Sequence, residues 1–327
     1  MTDAEGVTLS AASPSPHRIN TEMGTAEWAK LAFLSLLWGG SFFFIEIALA
    51  GFPPLTLVAL RVGFAALGLW IFVFATRRPL PRSVRFWAAI GFSAILNNAL
   101  PFSLMSWGQT QVGASLASIL NATTPIFTVL VAGIFLKDEP LSARRLIGVL
   151  VGALGVAVVI GPTAILGARM DWMSLLGQLA FLGGTLSYAT ASVYSRRFGR
   201  MGIDPIVAAT GQLSAAVLIM VPVSLIFERP LSLPLPGIDA WLAVLGLALL
   251  STALAFILYF QLLAKAGATN VILVTFLIPV SAISLGILLL GEHLSGHQVG
   301  GMVIIAAGLF IVDGRLVRRL LRPRGGG

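Results

Sequence analysis

The sequence predicts an all-α membrane protein in which ten transmembrane helices form two inverted five-helix repeats. Three observations carry that prediction. Ten apolar windows of spanning length follow one another, basic residues gather in alternate connections, and a spaced motif in the first half recurs in the second.

Composition sets the frame. Of 327 residues 57% are hydrophobic and only 10% are charged, and the mean hydropathy is +0.95. Ordinary soluble domains carry about 25% charge, so the main solvent of this chain is lipid. The net charge of +8 sits in short basic clusters between apolar runs, which membrane topology explains without a nucleic-acid partner. With no cysteine, disulfides, thiolate metal sites and cysteine nucleophiles are excluded. Residues 1–27, rich in Ser, Pro and Thr, lack the basic start and short apolar core of a secretory signal. They read as a disordered cytoplasmic tail ahead of a retained first helix.

A spanning helix needs roughly 20 apolar residues. The windows are 28–50, 54–75, 85–107, 113–136, 142–160, 173–195, 204–227, 239–262, 270–290 and 296–313. Pro, Gly or Arg separates each from the next: Gly51 to Pro54 between the first pair, Arg77 to Pro79 after the second, Gly161-Pro162 after the fifth. Arg196-Arg197, Arg229-Pro230 and Gly291 do the same in the second half.

Orientation is read independently, because Lys and Arg collect in cytoplasmic segments. With the N-terminus inside, the inner segments hold Arg18 and Lys30; Arg77, Arg78, Arg82 and Arg85; Lys137, Arg144 and Arg145. They continue with Arg196, Arg197 and Arg200, then Lys265, then the tail 314–327 with Arg315, Arg318, Arg319, Arg322 and Arg324. Only Arg169 and Arg229 fall outside, and Arg61 lies within a helix. Both termini are therefore expected in the cytoplasm of a cell with this protein in its inner membrane.

The repeat is explicit. Gly113-Ala114 followed by Pro125 recurs as Gly267-Ala268 followed by Pro279. Glu139, Leu141, Ser142 and Gly148 recur, after a one-residue slip, as Glu292, Leu294, Ser295 and Gly301. Upstream, Gly39-Gly40-Ser41 matches Gly183-Gly184-Thr185, and Pro54 matches Pro205. The units are 28–160 and 173–313. Five helices per unit force the units into opposite orientations, an architecture of secondary transporters that places substrate near mid-membrane.

Each unit ends in small residues, a mid-helix proline, an apolar run, an acid, Leu-Ser and a glycine-spaced last helix. The copies are ASLASILNATTPIFTVLVAGIFLKDEPLSARRLIGVLVGALG and GATNVILVTFLIPVSAISLGILLLGEHLSGHQVGGMVIIAAG. With Trp38-Gly39-Gly40-Ser41 and Arg61, residues 28–313 resemble two EamA domains of the drug/metabolite transporter superfamily. The resemblance implies a non-enzymatic carrier that exports amino acids, as YddG-type relatives do, by alternating access around a central cavity. Drug, purine or sugar export on the same fold is the alternative. A membrane enzyme on lipid-linked substrate would want clustered acids, histidines or metal ligands at an interface, and the sequence has none.

An ionisable residue within the membrane is expensive and marks function by default. Glu46 lies about 6 Å from the outer end of the first helix and Arg61 about 10 Å from the outer start of the second. Two readings stay open: a structural ion pair or a snorkelling Arg, or Glu46 as proton carrier or ammonium partner and Arg61 as carboxylate partner. The repeat aligns Glu46 with Thr190 and Arg61 with Gln212, so only one half carries charge.

Asn97 and Asn98 with Pro101 in the third helix align with Ser251, Thr252 and Ala255 in the eighth. Buried amides need partners in lipid, and Pro101 frees a backbone carbonyl near residue 97. These two helices are the expected cavity wall, with interhelical hydrogen bonding as the other reading. Asn121, beside Pro125, is a candidate for substrate binding or coupling; Pro125 and Pro279 permit bends and are expected hinges or cavity contours. Tyr188 and Tyr259 are placed to stack on substrate, and Trp107 to anchor at an interface.

Gly148, Gly152 and Gly155, matched by Gly301 and Gly308, form a smooth ridge for close helix packing, either between the halves or in a dimer. His293 and His297 are four apart beside Glu292 but lack a third ligand, so no metal is expected. No GxxxxGK[ST] motif is present, and no cofactor is expected. The expected partners are a small-molecule substrate, the bilayer and, if transport is coupled, protons; the chain is a monomer or homodimer.

Overall fold

A computed structural model describes residues 24–136, 142–160, 171–271 and 273–313. The tail through residue 23, the repeat acid Glu139, Arg169 and the basic tail from residue 314 lie outside the described residues.

The described residues form ten helical units. They are α1 (Thr25–Leu49), α2 (Pro54–Ala75), α3 (Val84–Gln109), α4 (Ala114–Phe135), α5 (Ala143–Ile160), α6 (Trp172–Arg200), α7 (Pro205–Phe227) and α8 (Ile238–Ala266). The ninth, α9, has two pieces, Ala268–Val271 and Val274–Leu290, and α10 is Gly296–Asp313. Seven of them, α1 to α5, α7 and α8, are long and apolar enough to cross a membrane; the long piece of α9 and most of α10 are shorter apolar helices. Although α6 is 29 residues long, it is less apolar, because it carries Gln178, Thr185, Ser187 and Thr190. Its buried polar side chains face neighbouring helices, the placement that polar groups require in lipid.

The helix ends follow local chemistry. Pro54 and Pro205 open α2 and α7 in the first turn, where a missing N–H costs nothing. Asp171 accepts from Met173 N and Ser174 N at 3.1 and 3.3 Å, and Asp204 from Ile206 N and Val207 N at 2.8 and 3.2 Å, each satisfying orphan donors. Gly267 and Gly291, at φ 74° and 67°, end α8 and α9 in a conformation that favours glycine.

The two halves pack as pseudo-symmetric copies. In one contact between the halves α1 lies along α9, with Ser35 Oγ 3.1 Å from Ser281 Oγ and Gly39 pressed on the Ala282 backbone. In the other, α6 lies along α4 and α3, with Thr185 Oγ1 3.4 Å from Thr123 Oγ1 and Gly184 against Met105. On the axis relating them, α2 packs on α7 and α5 on α10.

The glycine ridge lies in the α5–α10 contact. A methyl on Gly308 would fall 2.7 Å from Gly152 N and 2.8 Å from Gly148 O, and one on Gly155 2.7 Å from Ile305 N. Gly301 meets Gly155 O and Val159 N at 2.7 Å in the same way. The five glycines join the two halves of one chain.

The proline hinges are less symmetric than the sequence pattern. The break in α4 falls at Ala122-Thr123, just before Pro125 in the first turn of the second piece. In α9 the long piece runs unbroken through Pro279, and the interruption lies upstream of Val274. Membrane helices absorb a proline where neighbouring groups re-satisfy the freed carbonyl.

Sequence periodicity did not mark one feature. Both α3 and α8 pass through π-helical segments, Ile95–Ala99 and Gly246–Leu254, at equivalent places in the repeat. In each, the N–H that follows bonds five residues back, Leu100 to Ile95 O and Ala255 to Leu250 O. Such segments concentrate at functional sites.

Candidate functional site

The π segments hold the polar residues singled out in α3 and α8. Arg61, on α2 and only 8% exposed, reaches across to the other half and donates from Nε to Thr252 Oγ1 at 3.1 Å. Thr252 donates in turn to Leu247 O at 2.8 Å, five residues back within its own π segment. The mirror contact exists: Gln212, the repeat counterpart of Arg61, accepts from Asn97 Nδ2 at 3.0 Å. Its own amide continues to Ser93 Oγ at 3.0 Å, which lies 3.2 Å from Ser195 Oγ. Each half's second helix thus grips the π segment of the other half's third helix.

Among the described residues, each π segment also holds one buried polar side chain without a hydrogen-bond partner. Asn98 is 0% exposed, yet neither its Nδ2 nor its Oδ1 has a partner; Ser251, also buried, has an unpartnered Oγ. A buried amide without partners costs the desolvation of both groups. Unpaired groups of this kind call for water or ligand. Asn98 lies one helical turn from Phe102 on the same face of α3. The Arg61 guanidinium sits 3.7 Å above the centroid of the Phe102 ring, whose other neighbour is Tyr188, edge-on at 6.3 Å. Arg61, Thr252, Phe102 and Tyr188 therefore converge. Phe102 was not singled out by sequence, since a phenylalanine in an apolar helix carries no signal.

Among the described residues Arg61 forms no salt bridge. Glu46 and Arg61 do not form the ion pair that was one open reading. Instead, Glu46 Oε2 accepts from Gln109 Nε2 at 3.0 Å, and the same nitrogen donates to Phe42 O at 2.6 Å. Gln109 thereby ties the end of α3 to α1. It lies at the boundary of its window, where a polar residue looks like ordinary interface, so sequence reading passed it over.

Two acids close this same end of the bundle. Glu292, following α9, accepts from Ala114 N and Ser115 N at 2.6 and 2.8 Å and also from Ser115 Oγ, capping α4 of the other half. Glu228, following α7, does the same for α2, accepting from Leu55 N, Thr56 N and Thr56 Oγ1 at 2.8, 2.6 and 2.7 Å. Carboxylates suit helix N-termini, where orphan N–H groups and the helix dipole favour negative charge. With both oxygens committed, Glu292 serves here as a clasp. At the opposite end, Arg78 pairs with Asp204, joining α2 to α7.

Tyr259 on α8 lies against Trp38 of α1, ring centroids 5.4 Å apart and tilted by 43°. Asn121 is half-buried at the break in α4, where its carbonyl accepts from Thr124 Oγ1 at 2.7 Å.

A family model described as the EamA-like transporter family matches residues 27–161 and again 175–312. A Salmonella typhimurium protein named "Probable amino-acid metabolite efflux pump" is 31% identical over 307 residues, covering 90% of this chain and 99% of that protein. The Escherichia coli "Uncharacterized inner membrane transporter YedA" is 26% identical over 296 residues, covering 87% and 92%. A solved crystal structure superposes with a TM-score of 0.64 at 22% identity, covering 90% of this chain and 99% of that one, a likeness of fold.

Proposed function

We propose, from the premise that this chain belongs to the EamA-like transporter family, that this membrane transporter exports amino acids or closely related carboxylate-bearing metabolites. It works by alternating access around the centre where Arg61 meets Thr252 and Phe102. Arg61 carries the proposal: a buried guanidinium with a hydroxyl and a ring as neighbours, and no salt bridge among the described residues, offers its remaining donors to a substrate carboxylate. Asn98 and Ser251 supply further unpaired groups, while Tyr188 and Tyr259 bound the site. The relative named as an amino-acid metabolite efflux pump supports the substrate class.

The protein lies in a cell inner membrane with both termini cytoplasmic, as the basic segments indicate. The Glu292 end then faces outward, and its clasps support reading this conformation as closed to the outside. Alternating access follows when those clasps release and the opposite end closes. Glu46, tied to the outer gate through Gln109, is the proposed proton carrier.

Counterflow in proteoliposomes with a panel of amino acids, purines, sugars and cationic drugs, run with and without a proton gradient, tests the reading. Exchange of neutral amino acids is expected, with Glu46→Gln losing response to the gradient. No exchange of any amino acid ends the substrate proposal, and an unchanged gradient response in Glu46→Gln ends the coupling role.

A further inference from the structure

A groove of about 740 Å³ lies away from the proposed centre, along the seam between α2 and α7. Its lining runs from Pro53 to Trp70 on α2, about 25 Å at 1.5 Å per residue. One leaflet occupies only half of the roughly 30 Å hydrocarbon core. None of the residues assigned to substrate lines it.

The hydroxyl protons of the lining are already donated. Thr56 is held by Glu228, Ser214 receives Trp70 Nε1 at 2.9 Å and donates to Thr210 O, and Ser224 donates to Val221 O. A polar solute would find these hydroxyl protons already donated, whereas a hydrocarbon chain needs no partner. Gly63 leaves the middle open, since a Cβ there would meet nothing within 4 Å.

The mouth lies at the Glu292 end beneath Pro230–Pro236. Leu231 and Leu235 of this loop are 91% and 94% exposed, which places the loop in the membrane interface. Trp241, edge-on to Phe52 at 4.9 Å, marks the same level. Arg229 precedes the loop in a left-handed backbone conformation, φ 47°, and its side chain is exposed. Its neighbour Glu228 turns both oxygens away to α2.

We propose that this groove is a binding site for a phospholipid of the leaflet at the Glu292 end. One acyl chain lies between α2 and α7, and Arg229 meets the phosphate. The site is separate from the substrate reading and stands or falls without it.

Native mass spectrometry of the full chain, released from phosphatidylglycerol nanodiscs into mild detergent, tests the site. Wild type is expected to keep one phospholipid that survives delipidation. Gly63→Trp fills the groove and should lose it at least tenfold. Arg229→Ala should lower retention about fivefold, the weight of one basic residue at a charged membrane surface. Leu67→Trp, at the exposed rim, repeats the occlusion if Gly63→Trp does not fold. Equal lipid retention by wild type and a folded occluding variant overturns the site, and retention unaffected by Arg229→Ala overturns the phosphate contact.

Discussion

Arg61 Nε and Thr252 Oγ1 meet at 3.1 Å across the two halves of the chain, and Gln212 meets Asn97 at 3.0 Å in the mirror position. The repeat keeps the grip and changes its chemistry, charged on one side and neutral on the other. A symmetric machine with one charged side can hold an asymmetric solute in a defined direction.

Replacing Arg61 by Gln should leave the grip on Thr252 within reach while removing the charge. A charge-assisted hydrogen bond contributes about 1.5–3 kcal/mol, so amino-acid counterflow should fall about tenfold or more, with folding retained by size-exclusion profile. Arg61→Lys should rescue only part of it, because an ammonium lacks the planar fork. Full activity in Arg61→Gln would remove Arg61 from the site.

Asn98→Leu separates ligand binding from structure. An unpartnered buried amide costs about 1–3 kcal/mol, so the leucine should raise or preserve thermal stability while reducing transport. A fall in stability would assign Asn98 a structural partner instead.

Glu292→Ala should loosen the closed end. Because the chain has no cysteine, a single cysteine at buried Val112 reports opening without background. Labelling by a membrane-impermeant maleimide should rise severalfold in Glu292→Ala, and unchanged labelling would deny Glu292 its role as a clasp.

Gly155→Leu and Gly308→Val should each destabilise by about 1–3 kcal/mol, the usual cost of overpacking. The readout is the thermal unfolding midpoint in detergent, with oligomeric state unchanged. Loss of a dimer with an unshifted midpoint would mean that the ridge works between chains.

The sequence by itself determined the ten helices, their punctuation and the duplication. These depend on composition, run length and the spacing of residues such as Gly113, Pro125, Gly267 and Pro279, all local quantities. It also marked Arg61, Asn97, Asn98 and Thr252, because polar groups in apolar helices are conspicuous. Only the tertiary structure decided what each of them meets. Periodicity does not show that α3 and α8 slip into π turns, that Gln109 reaches α1, or that Glu292 caps a helix nearly 180 residues earlier. Nor could it assign the glycine ridge to α5 against α10. The reason is physical: a side chain's chemistry is written in its own residue, but its partner is set by which helices lie side by side.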